Sequence, residues 1–313
     1  MNKKILFFLI GLIFFSLSAF SNILSNVSGK VVDAEDGKPI KNVLVHLVDI
    51  ERNTFDCTTD EKGEFLFKWI QTGYCKIGFF PPAPYAWERD GNEMHPFDHK
   101  AGRITYITQK LVHGGILDLT LIDVSTNTPL EGFDVYVKGA SAGLSTRVYW
   151  QPSDKQGKYR MEQLIDGKYE LTLTKDGWGM KVIPDVEIHL KETTSMTIQY
   201  NTPDASKLEG VVKCEESGEP LSNIFVGVNR LDKYGWAHTY TDDDGRYKFL
   251  DLEPGNYKVK VIGLKDKIDD DEHSVYIRKN IEFGKRCRPV INFNVDCTLY
   301  FQKKWELPWY EKK

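Results

Sequence analysis

One interval, repeated three times, governs what this chain can fold into. A polar turn of the form Thr/Ser-Asp-x-x-Gly-x-Phe/Tyr occurs at Thr59-Asp60-Glu61-Lys62-Gly63-Glu64-Phe65, Ser153-Asp154-Lys155-Gln156-Gly157-Lys158-Tyr159 and Thr241-Asp242-Asp243-Asp244-Gly245-Arg246-Tyr247. Ten residues after each of these glycines stands another, at Gly73, Gly167 and Gly255, with a tyrosine one or two positions on. The Asp side chain closes an Asx-turn on its own backbone, and glycine tolerates the left-handed conformation the turn requires. The flanking segments alternate. Phe133, Val135 and Val137 interleave with Asp134, Tyr136 and Lys138, which places the apolar set on one face of a half-buried sheet. A hairpin met three times at one spacing marks a unit built three times.

Each hairpin is preceded by the same two features. Strand-like openings at Val27–Asp33, Gly115–Thr120 and Leu208–Lys213 run into the turns Gly37-Lys38-Pro39-Ile40, Asn127-Thr128-Pro129-Leu130 and Gly218-Glu219-Pro220-Leu221. Proline lacks a ladder donor, so it belongs in a turn or at a strand's first residue. Together these residues resemble the carboxypeptidase regulatory-like domain. That resemblance implies an all-β chain of three tandem transthyretin-like Greek-key β-sandwiches. The expected division is a signal peptide over 1–21 and sandwiches over 22–113, 114–203 and 204–298. An aromatic tail over 299–313 follows, and an insertion near 81–103 lengthens the first sandwich.

The N-terminus carries Lys3 and Lys4, an apolar run from Ile5 to Phe15, and small residues up to Ser21. This is the pattern of a cleaved secretory signal, and the run is short for a bilayer span, which takes roughly 20 apolar residues. The chain is therefore expected to be secreted, periplasmic or at the cell surface, and not membrane-spanning after cleavage. Its 41 basic and 45 acidic residues give a net charge of −4. Without a basic block, nucleic acid is excluded as a partner.

Export permits disulfides. Of the five cysteines, Cys57 and Cys75 lie in one repeat and are expected to bond, while Cys214, Cys287 and Cys297 cannot all pair with one another. No Cys-x-x-Cys, Gly-x-Ser-x-Gly or phosphate-cradling glycine loop is present. The nearest approach to a metal set is His95, Asp98 and His99, in a segment that also reads as a polar loop punctuated by Pro96. Neither acidic cluster, at Asp242–Asp244 or Asp269–Glu272, follows an EF-hand pattern. No cofactor and no catalytic residue is expected, so the chain reads as a non-catalytic structural or interaction protein with an envelope protein or glycan as partner. Tyr85, Trp87, Trp150 and Trp236 are the candidate contact residues, because rigid aromatics on loops stack on sugars or anchor a protein partner. A carbohydrate-binding role is the alternative, and a metal-dependent enzyme is the weakest reading.

Overall fold

The three hairpin turns are built alike. The computed structural model describes residues 24–87, 94–139, 149–203, 205–262 and 276–295. Asp60 Oδ1 accepts from the backbone N–H groups of Lys62 and Glu64, both at 2.9 Å. Asp154 does the same with Gln156 and Lys158 at 2.9 and 2.8 Å, and Asp242 with Asp244 and Arg246 at 3.0 and 2.8 Å. Gly63, Gly157 and Gly245 sit at φ 71°, 67° and 69°. A Cβ on these glycines would lie 2.4, 2.4 and 2.6 Å from the carbonyl oxygens of Val31, Leu121 and Val212, so only glycine fits. The hydroxyl before each Asp is buried and ties the hairpin to the proline turn. Thr59 donates to Ile40 O at 2.8 Å, Ser153 to Leu130 O at 2.8 Å and Thr241 to Leu221 O at 2.6 Å. Each in turn accepts from a backbone N–H, of Val43, Phe133 and Ile224 respectively.

Around these turns the described chain is all strand, with no helix. The first set comprises β1 (Leu24–Asp33), β2 (Leu44–Val48), β3 (Thr54–Thr58), β4 (Glu64–Gln71), β5 (Gly73–Phe80), β6 (His95–His99) and β7 (Thr105–Leu111). The second comprises β8 (Gly115–Asp123), β9 (Thr128–Pro129), β10 (Asp134–Gly139), β11 (Tyr149–Pro152), β12 (Lys158–Leu164), β13 (Gly167–Thr174), β14 (Lys181–Ile188) and β15 (Thr193–Tyr200). The third comprises β16 (Ser206–Cys214), β17 (Phe225–Arg230), β18 (Trp236–Tyr240), β19 (Arg246–Leu252), β20 (Gly255–Ile262), β21 (Tyr276–Phe283) and β22 (Phe293–Val295). Strand order recurs. The sheets β4-β1-β7, β12-β8-β15 and β19-β16-β22 correspond, as do β3-β2-β5-β6, β11-β10-β13-β14 and β18-β17-β20-β21. In the first and third sets the opening strand pairs antiparallel with the hairpin's return strand and parallel with the last strand.

The segment expected as an insertion near 81–103 contains β6, the fourth strand of its sheet and the counterpart of β14 and β21. Pro96 sits on the sheet's edge strand, where a missing donor is tolerated.

The chain divides into two compact units, residues 1–116 with 162–166 and 189–192, and the remainder. In the first, Val27, Val31, Val45, Leu47, Phe65, Ile70 and Leu111 are among the side chains that fill the space between the paired sheets. In the second, Leu208, Val212, Val226, Phe249, Val259 and Phe293 belong to an equivalent core. No described helix is long and apolar enough to cross a membrane.

Candidate functional site

The disulfide expected between Cys57 and Cys75 is absent: both carry free thiols, as does Cys287. Cys57 lies on β3 opposite Val45, and Val45 lies opposite Phe79 on β5, so β2 separates the two cysteines. They stand two strand spacings apart, roughly 10 Å, and four residues along, roughly 13 Å. A disulfide holds its Cα atoms within about 7 Å. Burial pushes both thiols above their usual pKa, which leaves them poor nucleophiles. Cys214 is disulfide-bonded; Cys297, like the segment expected as a signal, the acidic run 269–272 and the expected aromatic tail, lies outside the described residues.

His95, Asp98 and His99 all fall on β6, whose period of two sends Asp98 to the face opposite the two histidines. His99 is buried, with Nδ1 2.8 Å from Thr105 Oγ1, whereas His95 and Asp98 are exposed. Desolvation depresses the pKa of the His99 imidazole. No group of three or more metal-ligating side chains converges among the described residues.

The four aromatics occupy separate places. Tyr85 is half-buried; its hydroxyl donates to Asp33 Oδ2 at 3.1 Å, and its ring meets His113 edge-on at 4.9 Å. Trp87 donates from Nε1 to Pro81 O at 3.3 Å and remains 37% exposed. Trp150, on edge strand β11 opposite Tyr136, is 59% exposed. Trp236 stacks on His238 at 5.4 Å, and His238 stacks in turn on Phe225.

What the sequence reading missed is a bulge six residues beyond each hairpin glycine. Trp69, Gln163 and Asp251 hold φ of 62°, 68° and 57°, and β4 and β19 shift register against their partners there. In the first compact unit the bulge at Gln163 is gripped by the segment following β5. Trp87 N–H donates to Gln163 O at 3.1 Å, and Gln163 Nε2 donates to Pro81 O and Tyr85 O at 3.0 and 2.9 Å. A Cβ on Gly114 would lie 2.5 Å from Gln163 Cα.

The second unit repeats the arrangement with the segment following β13. Leu250 N–H donates to Gly177 O, and Gly179 N–H donates to Leu250 O, both at 2.8 Å. A Cβ on Gly179 would meet Asp251 O at 2.2 Å. Asp251 accepts from Asn201 N–H at 2.6 Å and pairs with Lys181 Nζ at 2.7 Å. Trp178 packs edge-on against Phe133 and Tyr200, at 5.5 and 5.7 Å. Nearby, a cleft of about 620 Å³ is lined by Trp178, Tyr240, Arg246 and Lys248 among others. Its Asp176 pairs with His238 at 2.9 Å, and that hydrogen bond holds the carboxyl below its usual pKa.

The ends of the opening strands also correspond. Asp33 accepts from the N–H of Glu35 at 2.7 Å, and that bond lowers its pKa most. Burial pushes Asp123 up, but hydrogen bonds from Ser125 and Asn201 outweigh it and hold the carboxyl low. In the third set Cys214 takes this place and accepts from Ser217 N–H through Sγ at 3.5 Å.

Comparison with known proteins gives partial matches. Over 274 residues the chain is 25% identical to serine-aspartate repeat-containing protein D of Staphylococcus aureus (strain Newman), covering 73% of this chain and 20% of the relative. A 73-residue stretch is 32% identical to "Probable rhamnogalacturonate lyase B" of Neosartorya fischeri, covering 23% of this chain and 11% of that protein. The chain thus spans about a fifth or less of the length of these curated relatives. Among solved structures, GBS52, the minor pilin of Streptococcus agalactiae, aligns at 18% identity and TM-score 0.34, over 56% of this chain and 94% of that one. BcpA, the major pilin subunit of Bacillus cereus, aligns at 11% identity and TM-score 0.27, over 86% of this chain and 99% of that one. Residues 207–267, which begin in β16 and run past the end of β20, match the family model of the carboxypeptidase regulatory-like domain.

Proposed function

We propose that this chain is an exported, non-catalytic protein of the cell envelope or exterior, built of three β-sandwich modules over 22–113, 114–203 and 204–298. The modules act as scaffold and interaction surface, and residues 1–21 direct export. One observation carries this reading. The carboxylates and hydroxyls that recur in the repeat are all engaged in closing turns, as with Asp60, Asp154 and Asp242 on their backbone N–H groups. Each of these carboxylates is pinned to its own turn through Oδ1, so the geometry of the hairpin accounts for its recurrence without any substrate. The candidates that do not recur are scattered. His99 is buried, Tyr85 is tied to Asp33, and Trp150 stands on a sheet edge.

The test is fractionation of cells making the full chain, followed by passage of envelope extract over the purified protein. Export with loss of residues 1–21, and retention of an envelope protein that Trp150→Ala weakens, is the expected result. Retention in the cytoplasm would overturn the reading. A glycan panel run in parallel separates the two partner classes, because a sugar bound by wild type and lost in Trp150→Ala would replace the protein partner.

A further inference from the structure

Two of the three bulges are occupied by the segment that follows the third strand of the preceding four-stranded sheet. The segment after β5 takes the bulge at Gln163, and the segment after β13 takes Leu250 and Asp251. The first bulge, at Lys68 and Trp69, has the same backbone form, but its Trp69 N–H donates to Asn26 Oδ1 of the neighbouring β1 at 3.3 Å and no other described segment is seated on it. Trp69 is 71% exposed, and no described strand pairs with the outer edge of β4. An uncovered edge strand is a template for another chain, and a large exposed tryptophan is a typical interface anchor.

The surroundings of this bulge suit binding. On the outer face of β4-β1-β7, Leu66, Ser28 and Tyr106 form one row, with Leu66 48% and Tyr106 62% exposed. Lys68 follows Leu66 on that face, and Lys30 and Lys110 lie on the same side of β1 and β7. Glu64 stands opposite Lys30 on this face, so the platform is an apolar and aromatic row with an excess of basic over acidic side chains around it. The segment of this chain that corresponds to the two docking segments follows β20, over residues 263–275. Its sequence carries Asp266, Asp269, Asp270, Asp271 and Glu272 against Lys265 and Lys267. The chain's own repeat therefore pairs an uncovered basic acceptor in its first set with an acidic donor segment in its third.

We infer that the Lys68–Trp69 bulge is the docking site for a second copy of this chain, which presents its 263–275 segment in head-to-tail order. This continues between chains the succession that runs from the first set to the second and from the second to the third. It deepens the scaffold reading by naming the partner, and it rests on that reading.

Sedimentation velocity of the mature chain across a wide concentration range tests it. Self-association that rises with concentration and weakens with salt is expected, since exposed charges are screened within about 8 Å at physiological ionic strength. Trp69→Ala should weaken it about tenfold or more, as loss of an interface tryptophan does. Lys68→Glu, Lys30→Glu and the double variant Asp270→Lys with Asp271→Lys should each weaken it as well. Mixing the Lys68→Glu chain with the Asp270→Lys, Asp271→Lys chain should restore association between the two. The altered side chains on β1 and β4 lie on the outer face or its edge, so unchanged melting curves verify the fold. A chain that stays monomeric, or associates equally well in all variants, overturns the inference. If that monomer still fractionates with the envelope, only the partner is lost and the scaffold reading stands.

Discussion

The hairpin glycine immediately precedes the strand that carries the bulge six residues on, yet the three sets treat the two positions in opposite ways. At the hairpin all three use one solution, an Asp closing the turn, a buried hydroxyl behind it and glycine in the left-handed region. At the bulge all three differ: Trp69 is exposed, Gln163 reaches into a neighbouring segment by its amide, and Asp251 anchors Lys181 and Asn201. The hairpin is a local problem with one cheap answer. The bulge has a common backbone form, but its side chain answers to whatever lies against it. A position that repeats reports folding, and a position that varies within a repeated backbone reports contacts.

The sharpest way to break this comparison is at the hairpin itself. Gly157→Ala forces a Cβ to within 2.4 Å of Leu121 O at φ 67°. Left-handed strain and a clash with rigid backbone should together cost about 3 kcal/mol, and Gly63→Ala or Gly245→Ala should cost about the same. Thermal or denaturant unfolding measures it. A loss under about 1 kcal/mol at any of the three would show that the turns are not equivalent.

Next come two substitutions at one position. Asp251→Ala strands Lys181 and the Asn201 N–H at a buried site and should cost about 2–3 kcal/mol. Trp69→Ala removes an exposed ring and should change the stability of the isolated chain by about 0.5 kcal/mol or less. Equal losses would erase the distinction between an occupied and an open bulge.

The smallest effect separates buried from exposed groups on β6. Burial lowers the His99 pKa in the folded chain, so the folded state prefers the neutral ring. Stability is then whole above the unfolded histidine pKa of about 6.5 and declines as pH falls below it, until the folded pKa is passed. His99→Gln should flatten that limb of the melting temperature against pH, and His95→Gln, on an exposed side chain, should leave it in place.

Much of the fold was legible because the turns are written in local chemistry. Asp60, Gly63 and Pro39 act within a few residues of themselves, so their spacing declares the hairpin and the proline turn without knowledge of tertiary contacts. The errors arose where chain distance stood in for spatial distance. Cys57 and Cys75 are near in sequence, but β2 lies between their strands. The segment holding His95, Asp98 and His99 reads as a polar loop because Pro96 interrupts it, yet it pairs with β5 as an edge strand. The bulge could not be read at all. Trp69, Gln163 and Asp251 share no side-chain chemistry, and at Trp69 and Asp251 the left-handed backbone goes with a register shift rather than with residue type.

The exchange at the end of the opening strand carries one more consequence. Asp33 and Asp123 staple their turns with carboxylates that stay ionised far below neutral pH, in any redox environment. Cys214 stands at the same place but is held in a disulfide, which persists only where the surroundings are oxidising. The last set of strands therefore carries a cross-link that depends on compartment, as the first two do not. The backbone bonds that close its turn, from Cys214 N–H to Glu219 O at 2.8 Å and from Gly218 N–H to Cys214 O at 3.0 Å, are indifferent to the oxidation state of the sulfur, so reduction would remove the cross-link and leave the turn.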